Sequence, residues 1–243
     1  MFLFAITNLV IGYSTLTWIP SQLARFVKDQ PSEPSEASKN THSIQTLPSL
    51  PLTLVSLFVC QTILGSVQYS ISSRHAIKSK VASSFVTTFN TAIAIGATGT
   101  LICHIFAVLF GAGIVHQAKE TMQFACYLSL LSFYPASFVL GTDIKSWLRI
   151  FIHNSPETFT EAALYCQGMM AIFGAWLGSI VIPLDWDRPW QAWPVPCVLG
   201  AFLFYMIGTA VGLVVSIVMR QRAVRREFGI GIDPPSVAKV KKS

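Results

Sequence analysis

Asp185, Asp187 and Arg188 stand together in the string Leu184-Asp-Trp-Asp-Arg-Pro-Trp-Gln191, directly after an apolar run that ends at Pro183. Two carboxylates this close could offer oxygens to a divalent ion, but two are too few without water or phosphate to complete the shell. Arg188 could instead pair with one of the acids, or the three charges could meet a lipid head group or a partner. Trp186, Trp190 and Trp193, with Trp176 just upstream, put four of the chain's six tryptophans within Gly174–Pro194. Indoles gather where a bilayer meets water, because their faces are apolar and their N–H is not. The stretch therefore reads as a tight bend clamped at a membrane surface.

Other chemistry is sparse. All eleven carboxylates fall between the long apolar blocks or in the tail, and His104 is the one ionisable group at bilayer depth. Ion-coupled transport usually leaves acids inside the spans, so it is disfavoured. The five cysteines (Cys60, Cys103, Cys126, Cys166 and Cys197) fall one to a block, with no C-x-x-C or metal-ligand spacing. They read as small apolar filler. No metal and no cofactor are expected.

The elements that position these residues are written in hydropathy. The chain is 52% hydrophobic and 12% charged, and its apolar residues come in uninterrupted blocks. A helix needs roughly 20 such residues to cross a bilayer. Six blocks qualify: about Phe2–Ile19, Leu50–Ile71, Phe89–Gly113, Met122–Leu140, Leu164–Ile182 and Cys197–Met219. The expected fold is all-α, a polytopic membrane bundle of about six transmembrane helices in one domain over residues 1–219, followed by a basic tail over 220–243. The third block is overlong, and its Ser83, Ser84, Thr87 and Thr88 suggest a helical extension at the interface. The first block has no charge before Arg25. An uncleaved span is expected there rather than a cleaved signal, or else a short leader precedes Met1.

Orientation follows from lysine and arginine. With six spans, one side carries twelve of the seventeen basic residues and the other five (Arg25, Lys28, Lys39, Lys119 and Arg188). The positive-inside bias places both termini in the cytosol and the tryptophan-rich bend in the lumen. Most of the net charge of +6 resides in the tail and suits an anionic leaflet, so no nucleic-acid partner is implied. Residues 21–49 form the one long lumenal loop, expected to be disordered, and no lumenal loop is large enough to fold as a domain.

Between the fourth and fifth spans, Ile144, Leu148 and Phe151 share a helical face, with Trp147 beside it and Lys145 and Arg149 flanking. This predicts a short interfacial helix before helix 5. Ser155-Pro156-Glu157 then reads as the cap and first turn that start helix 5. Gly174 with Gly178, and Gly208 with Gly212, are G-x-x-x-G pairs that let helix backbones approach, either within the bundle or against a partner. Gly96, Gly99, Gly111 and Gly113 stud the third block. Lys239 and Lys241 lie fifth and third from the C-terminus, the spacing of a dilysine signal for retrieval to the endoplasmic reticulum.

Two strings carry a resemblance. GAWLGSIVIPLDWDRPWQAWP (Gly174–Pro194) and SFYPASFVLGTDIKSWLRIF (Ser132–Phe151) resemble the signature of the PIG-F family, over about Thr121 to Gly212. The resemblance implies a multi-pass protein of the endoplasmic reticulum in glycosylphosphatidylinositol (GPI) anchor synthesis. It implies a non-catalytic subunit that stabilises large ethanolamine-phosphate transferases of the PIG-O and PIG-G types. The residues agree, since such a transferase needs a folded lumenal domain with a metal cluster and an activated nucleophile. Lipid handling, with the bend holding a phosphatidylethanolamine or GPI head group, is the alternative. A free-standing metal enzyme built on Asp185 and Asp187 is the remaining reading.

Overall fold

The computed structural model describes residues 50–76, 85–113, 115, 117–184 and 191–227. Among them every element is a helix: α1 (Leu50–Ala76), α2 (Phe85–Leu109), α3 (Ala118–Leu140), α4 (Ile144–Phe151), α5 (Phe159–Ser179) and α6 (Val195–Glu227). The Phe2–Ile19 block and the 21–49 loop lie outside the described residues. Helices α2, α3 and the Val195–Arg225 part of α6 are long and apolar enough to cross a bilayer, and α1 holds a shorter apolar stretch, Leu54–Val67. Hydrocarbon offers backbone N–H and C=O groups no partners, so apolar chain at that depth closes its hydrogen bonds within helices. The result is a membrane helical bundle.

Helix α3 is its centre, packed against α1, α2, α5 and α6. Its serines show how it is held. Ser129 Oγ donates to the Gly96 carbonyl of α2 at 2.7 Å, and Ser132 Oγ to the Gly168 carbonyl of α5 at 3.3 Å. A neighbouring glycine exposes its carbonyl to a short hydroxyl, so serine on one helix faces glycine on the next. Steric room agrees: a methyl at Gly99 would lie 2.7 Å from Ser129 Oγ. Beside α3, Thr62 Oγ1 of α1 shares a 2.9 Å hydrogen bond with the Tyr134 hydroxyl, and Gly65 faces Phe138. Residue numbers rise together across this contact, so α1 and α3 run parallel, while α2 runs antiparallel against α3.

Further polar bonds cross the bundle where apolar contact alone cannot favour one neighbour over lipid. Gln61 Nε2 on α1 donates to the Tyr205 hydroxyl on α6 at 3.1 Å, and Gln167 Nε2 on α5 to Thr209 Oγ1 on α6 at 3.0 Å.

Three boundaries differ from the sequence reading. Helix α2 stops at Leu109, because Gly111 takes a φ of +100° and returns two N–H groups to the helix end: Gly111 to Val108 and Ala112 to Ala107, each at 3.0 Å. This is the glycine stop that only a residue without a Cβ adopts readily. Helix α5 starts at Phe159, not at Pro156. Thr158 caps it by accepting from Glu161 N, and Glu161 reaches back to the N–H of Thr158, a reciprocal box that Ser155 cannot form. Finally, α6 passes through Arg220, Arg222, Arg225 and Arg226 without a break and ends at Glu227, beyond the Met219 edge read from hydropathy.

Candidate functional site

The four glycines singled out in sequence lie on one seam. A methyl built on Gly174 would overlap the Gly200 carbonyl oxygen and lie 2.5 Å from Phe204 Cβ; one on Gly178 would overlap the Pro196 carbonyl oxygen. On the other helix, a methyl on Gly208 would lie 2.7 Å from the Cys166 carbonyl oxygen, and one on Gly212 would lie 3.0 Å from Ala163 Cα. Numbers on α5 fall as those on α6 rise, so the two helices form an antiparallel hairpin closed backbone to backbone. Gly200 opposes Gly174 and belongs to the seam, yet sequence reading passed over it. Its signal was the four-residue spacing of Gly200, Phe204, Gly208 and Gly212. With the glycines set against the opposite helix, large side chains turn outward: Phe173 and Trp176 stack at 5.9 Å and are both exposed.

At one end of the hairpin the chain turns through Ile180–Leu184. Gln191 is buried there, and its Nε2 donates to the Val181 carbonyl at 2.9 Å and also to the Leu184 carbonyl. A single amide thus donates to two carbonyls of the turn that follows α5, where the Val181 carbonyl also accepts the Leu184 N–H at 3.2 Å. Gln191 was quoted in the motif without a role, because its partners are backbone atoms. Trp193 follows on the cis peptide to Pro194. Its Nε1 donates to Thr121 Oγ1 of α3 at 3.2 Å, and its ring meets Phe124 edge-on at 5.3 Å. Trp193 therefore faces the bundle, joining the hairpin to the start of α3. Asp185, Trp186, Asp187, Arg188 and Trp190 lie outside the described residues, between the two segments that Gln191 ties together. Lys239 and Lys241 also lie outside.

The opposite end carries a second clasp. Asp143 caps α4, accepting from Lys145 N at 3.2 Å and Ser146 Oγ at 2.7 Å, and the Ser146 hydroxyl holds its carboxyl below the usual carboxylate range. Trp147 Nε1 donates to the Gly141 carbonyl at 2.9 Å, and its ring stacks on Phe151 at 5.4 Å. Ile150 is buried, whereas Ile144, Leu148 and Ile152 form an outward apolar stripe. The helix has two apolar sides: Trp147, Ile150 and Phe151 face the protein, and the i, i+4, i+8 stripe faces away.

Arg149 locks α4 to α5. Its Nη1 donates to Glu161 Oε2 and its Nη2 to Glu161 Oε1, each at 3.2 Å, while Nη1 also donates to the Ser155 carbonyl at 2.9 Å. Glu157 approaches the same guanidinium at 3.5 Å. Burial pushes the Glu161 carboxyl up, but the Arg149 fork and the N–H groups of Glu157 and Thr158 outweigh it and hold the group below its ordinary value. The capping signal T-x-x-E was present at Thr158–Glu161, directly before an apolar run.

Among the described residues, no three His, Cys, Asp or Glu side chains are placed to share a metal ion. The polar groups described above are engaged in holding helices together. Their arrangement can fix a rigid hairpin and present its bend; it does not assemble a nucleophile, a base and an oxyanion donor.

Comparison with known proteins agrees with this architecture. The chain is 42% identical over 108 residues to "GPI ethanolamine phosphate transferase, stabilizing subunit" of Homo sapiens, a match covering 44% of this chain and 49% of that protein. It is 38% identical over 128 residues to "Glycosylphosphatidylinositol anchor biosynthesis protein 11" of Yarrowia lipolytica, covering 53% and 56% respectively. A protein of the same description from Candida glabrata is 39% identical over 111 residues, covering 44% and 43%. The chain thus spans about half the length of the curated relatives it matches. No solved structure matches. The family model described as "GPI biosynthesis protein family Pig-F" matches residues 38–215, so with its glycine-sealed hairpin and tryptophan-rich bend the chain belongs to the Pig-F family.

Proposed function

We propose that this chain is a non-catalytic membrane subunit that stabilises ethanolamine-phosphate transferases of the PIG-O and PIG-G types in GPI-anchor synthesis. It resides in the endoplasmic reticulum with both termini cytosolic, the Arg149 clasp at the cytosolic face and the Trp193 bend at the lumenal face. Lys239 and Lys241 serve retrieval. The observation that carries the reading is the closed α5–α6 hairpin: its interior is backbone against backbone, and its polar groups serve structure at both ends. The printed names of the human and mouse relatives point the same way.

Because Gly174, Gly178, Gly208 and Gly212 are each packed against the opposite helix of the hairpin, a partner meets the outward side of the hairpin and the Asp185–Trp190 bend. Co-purification tests this. Asp185→Asn and Arg188→Ala should lower recovery of the transferase with this chain, without lowering the level of the chain itself. Full recovery with both variants would remove the bend from the interface. Lipid handling is a second reading, in which the chain holds ethanolamine-bearing head groups for the transferase. The carboxylate of Glu120 at the same end of the bundle favours it.

A further inference from the structure

We propose that Glu120 is an acceptor site for a primary ammonium group, and that its ligand is the ethanolamine head group of a membrane phospholipid. Glu120 sits in the first turn of α3 and keeps 8% of its exposure. Among the described residues no hydrogen bond or ion pair reaches its side chain: the described ion pairs all belong to Arg149, and neighbouring Lys119 makes none with it. A buried carboxylate without a partner is uncommon, because charge removed from water needs compensation. Yet its oxygens are not sealed. The fully buried, unpartnered side-chain atoms belong to Gln61, His104, Tyr127 and Gln167, and Glu120 is not among them. The residue is thus largely enclosed, and its carboxylate oxygens keep some exposure.

The surroundings select the ligand. Glu120 lies one helical turn before Phe124, on the same side of α3. The ring of Phe124 meets Trp193 at 5.3 Å, and the Trp193 indole is anchored to Thr121, the residue after Glu120. A carboxylate beside two aromatic rings at the end of a span is a setting for an organic cation at head-group depth. One acid alone leaves most of the shell of a calcium or magnesium ion, about six oxygens or more, to water or phosphate. Rings alone favour a quaternary choline, whereas a carboxylate favours a cation that can donate N–H. The acceptor therefore distinguishes ethanolamine from choline. The first-turn amides of α3 stabilise the same negative charge when the ligand is away. The choice of ethanolamine rests on the reading of this chain as a subunit of an ethanolamine-phosphate transferase; the presence of a cation site does not.

The test uses the full chain, purified alone and placed in nanodiscs of equal phosphatidylethanolamine and phosphatidylcholine, with retained lipids counted after detergent exchange. Wild-type chain should keep ethanolamine lipid over choline lipid by about tenfold, the size of one charge-assisted hydrogen bond. Glu120→Gln should fall to the bilayer ratio, and Glu120→Asp should keep part of the preference. A wild-type ratio equal to the bilayer, or a Glu120→Gln chain that retains the preference, overturns the proposal. Should the Gln variant not fold, carbodiimide labelling of wild-type Glu120 decides: phosphoethanolamine should protect it and phosphocholine should not, and equal protection overturns the site. If Glu120→Gln lowers transferase recovery with no change in lipid ratio, the cation is a lysine or arginine of the partner and the lipid proposal fails. If wild-type chain recovers no transferase, the subunit reading fails, and the lipid ratio still reads on the site.

Discussion

The α5–α6 seam makes a graded prediction for glycine-to-alanine substitution. Each change adds one methyl, so the outcome depends on what that methyl meets. At Gly174 and Gly178 it meets carbonyl oxygens of the opposite backbone, which cannot rotate away. At Gly208 the nearest atom is 2.7 Å away and at Gly212 it is 3.0 Å, while Gly168, a control on α5 that faces Ser132 of α3 instead of α6, has its nearest atom at 3.4 Å, an ordinary contact. Overfilling a packed interior costs about 1–3 kcal/mol, and alanine returns up to about 1 kcal/mol of helix propensity. The net loss should be about 1–2 kcal/mol for Gly174→Ala and Gly178→Ala and less for Gly208→Ala. It should approach zero for Gly212→Ala, and Gly168→Ala should be neutral or slightly stabilising. The assay is the temperature at which purified chain in one fixed detergent loses half its monodisperse fraction, read beside transferase recovery. The two readouts should fall in the same order, because the glycines act on a partner only through the hairpin. A flat series, or Gly168→Ala as damaging as Gly178→Ala, would refute the seam. A variant at Gly174 that kept full thermal stability but lost the transferase would show that the glycine itself touches the partner.

Other expectations follow from the two ends. Trp193→Phe and Thr121→Val both remove the 3.2 Å hydrogen bond between them, and Thr121→Val also removes the 2.8 Å bond from its Oγ1 to the Gln117 carbonyl, so Trp193→Phe should cost about 1 kcal/mol and the pair together little more than Thr121→Val alone; additive losses in thermal unfolding would deny the contact. Gln191→Leu takes the side-chain donor from the Leu184 carbonyl and leaves the Val181 carbonyl with the Leu184 N–H alone, and should cost about 1–3 kcal/mol, measured the same way; an unchanged midpoint would count against its capping role. Glu161 titrates lower folded than unfolded, so its contribution is fully present above its ordinary value of 4.5 and is lost as pH falls through the depressed folded value. The stability gap between wild type and Arg149→Met should therefore narrow as pH is lowered from neutral into that acid range; a constant gap would mean the clasp does not stabilise the fold.

Element positions were largely legible in the sequence, and neighbours were not. Apolar blocks located α1, α2, α3, α5 and α6 within several residues, because the need to close backbone hydrogen bonds in hydrocarbon acts locally. The Ile144–Phe151 pattern located α4, because an apolar stripe at helical spacing is also a local signal. Nothing local marked α3 as the central helix. Lipid-facing and protein-facing sides of a span are equally apolar, so periodicity has no direction to report. What placed α3 was the match of Ser129 to Gly96 and Ser132 to Gly168 across separate helices. The start of α5 was misplaced because the proline of Ser155-Pro156-Glu157 is locally persuasive, while the Thr158–Glu161 box satisfies two donors at once. For the candidate site, the glycine pairs were visible as spacing, whereas Gln191 and Glu120 gain meaning only from atoms far away in sequence.

Helix α6 has 33 residues, so it measures about 50 Å against a hydrocarbon layer of about 30 Å. The excess is a rigid post. Arg220, Arg222, Arg225 and Arg226 ride on its outer turns, so this positive charge stands at a set height above the lipid instead of sweeping the surface on a loose tether. An acidic surface can meet those arginines only at that standoff, and shortening the post by one turn would lower them by about 5 Å and rotate little else.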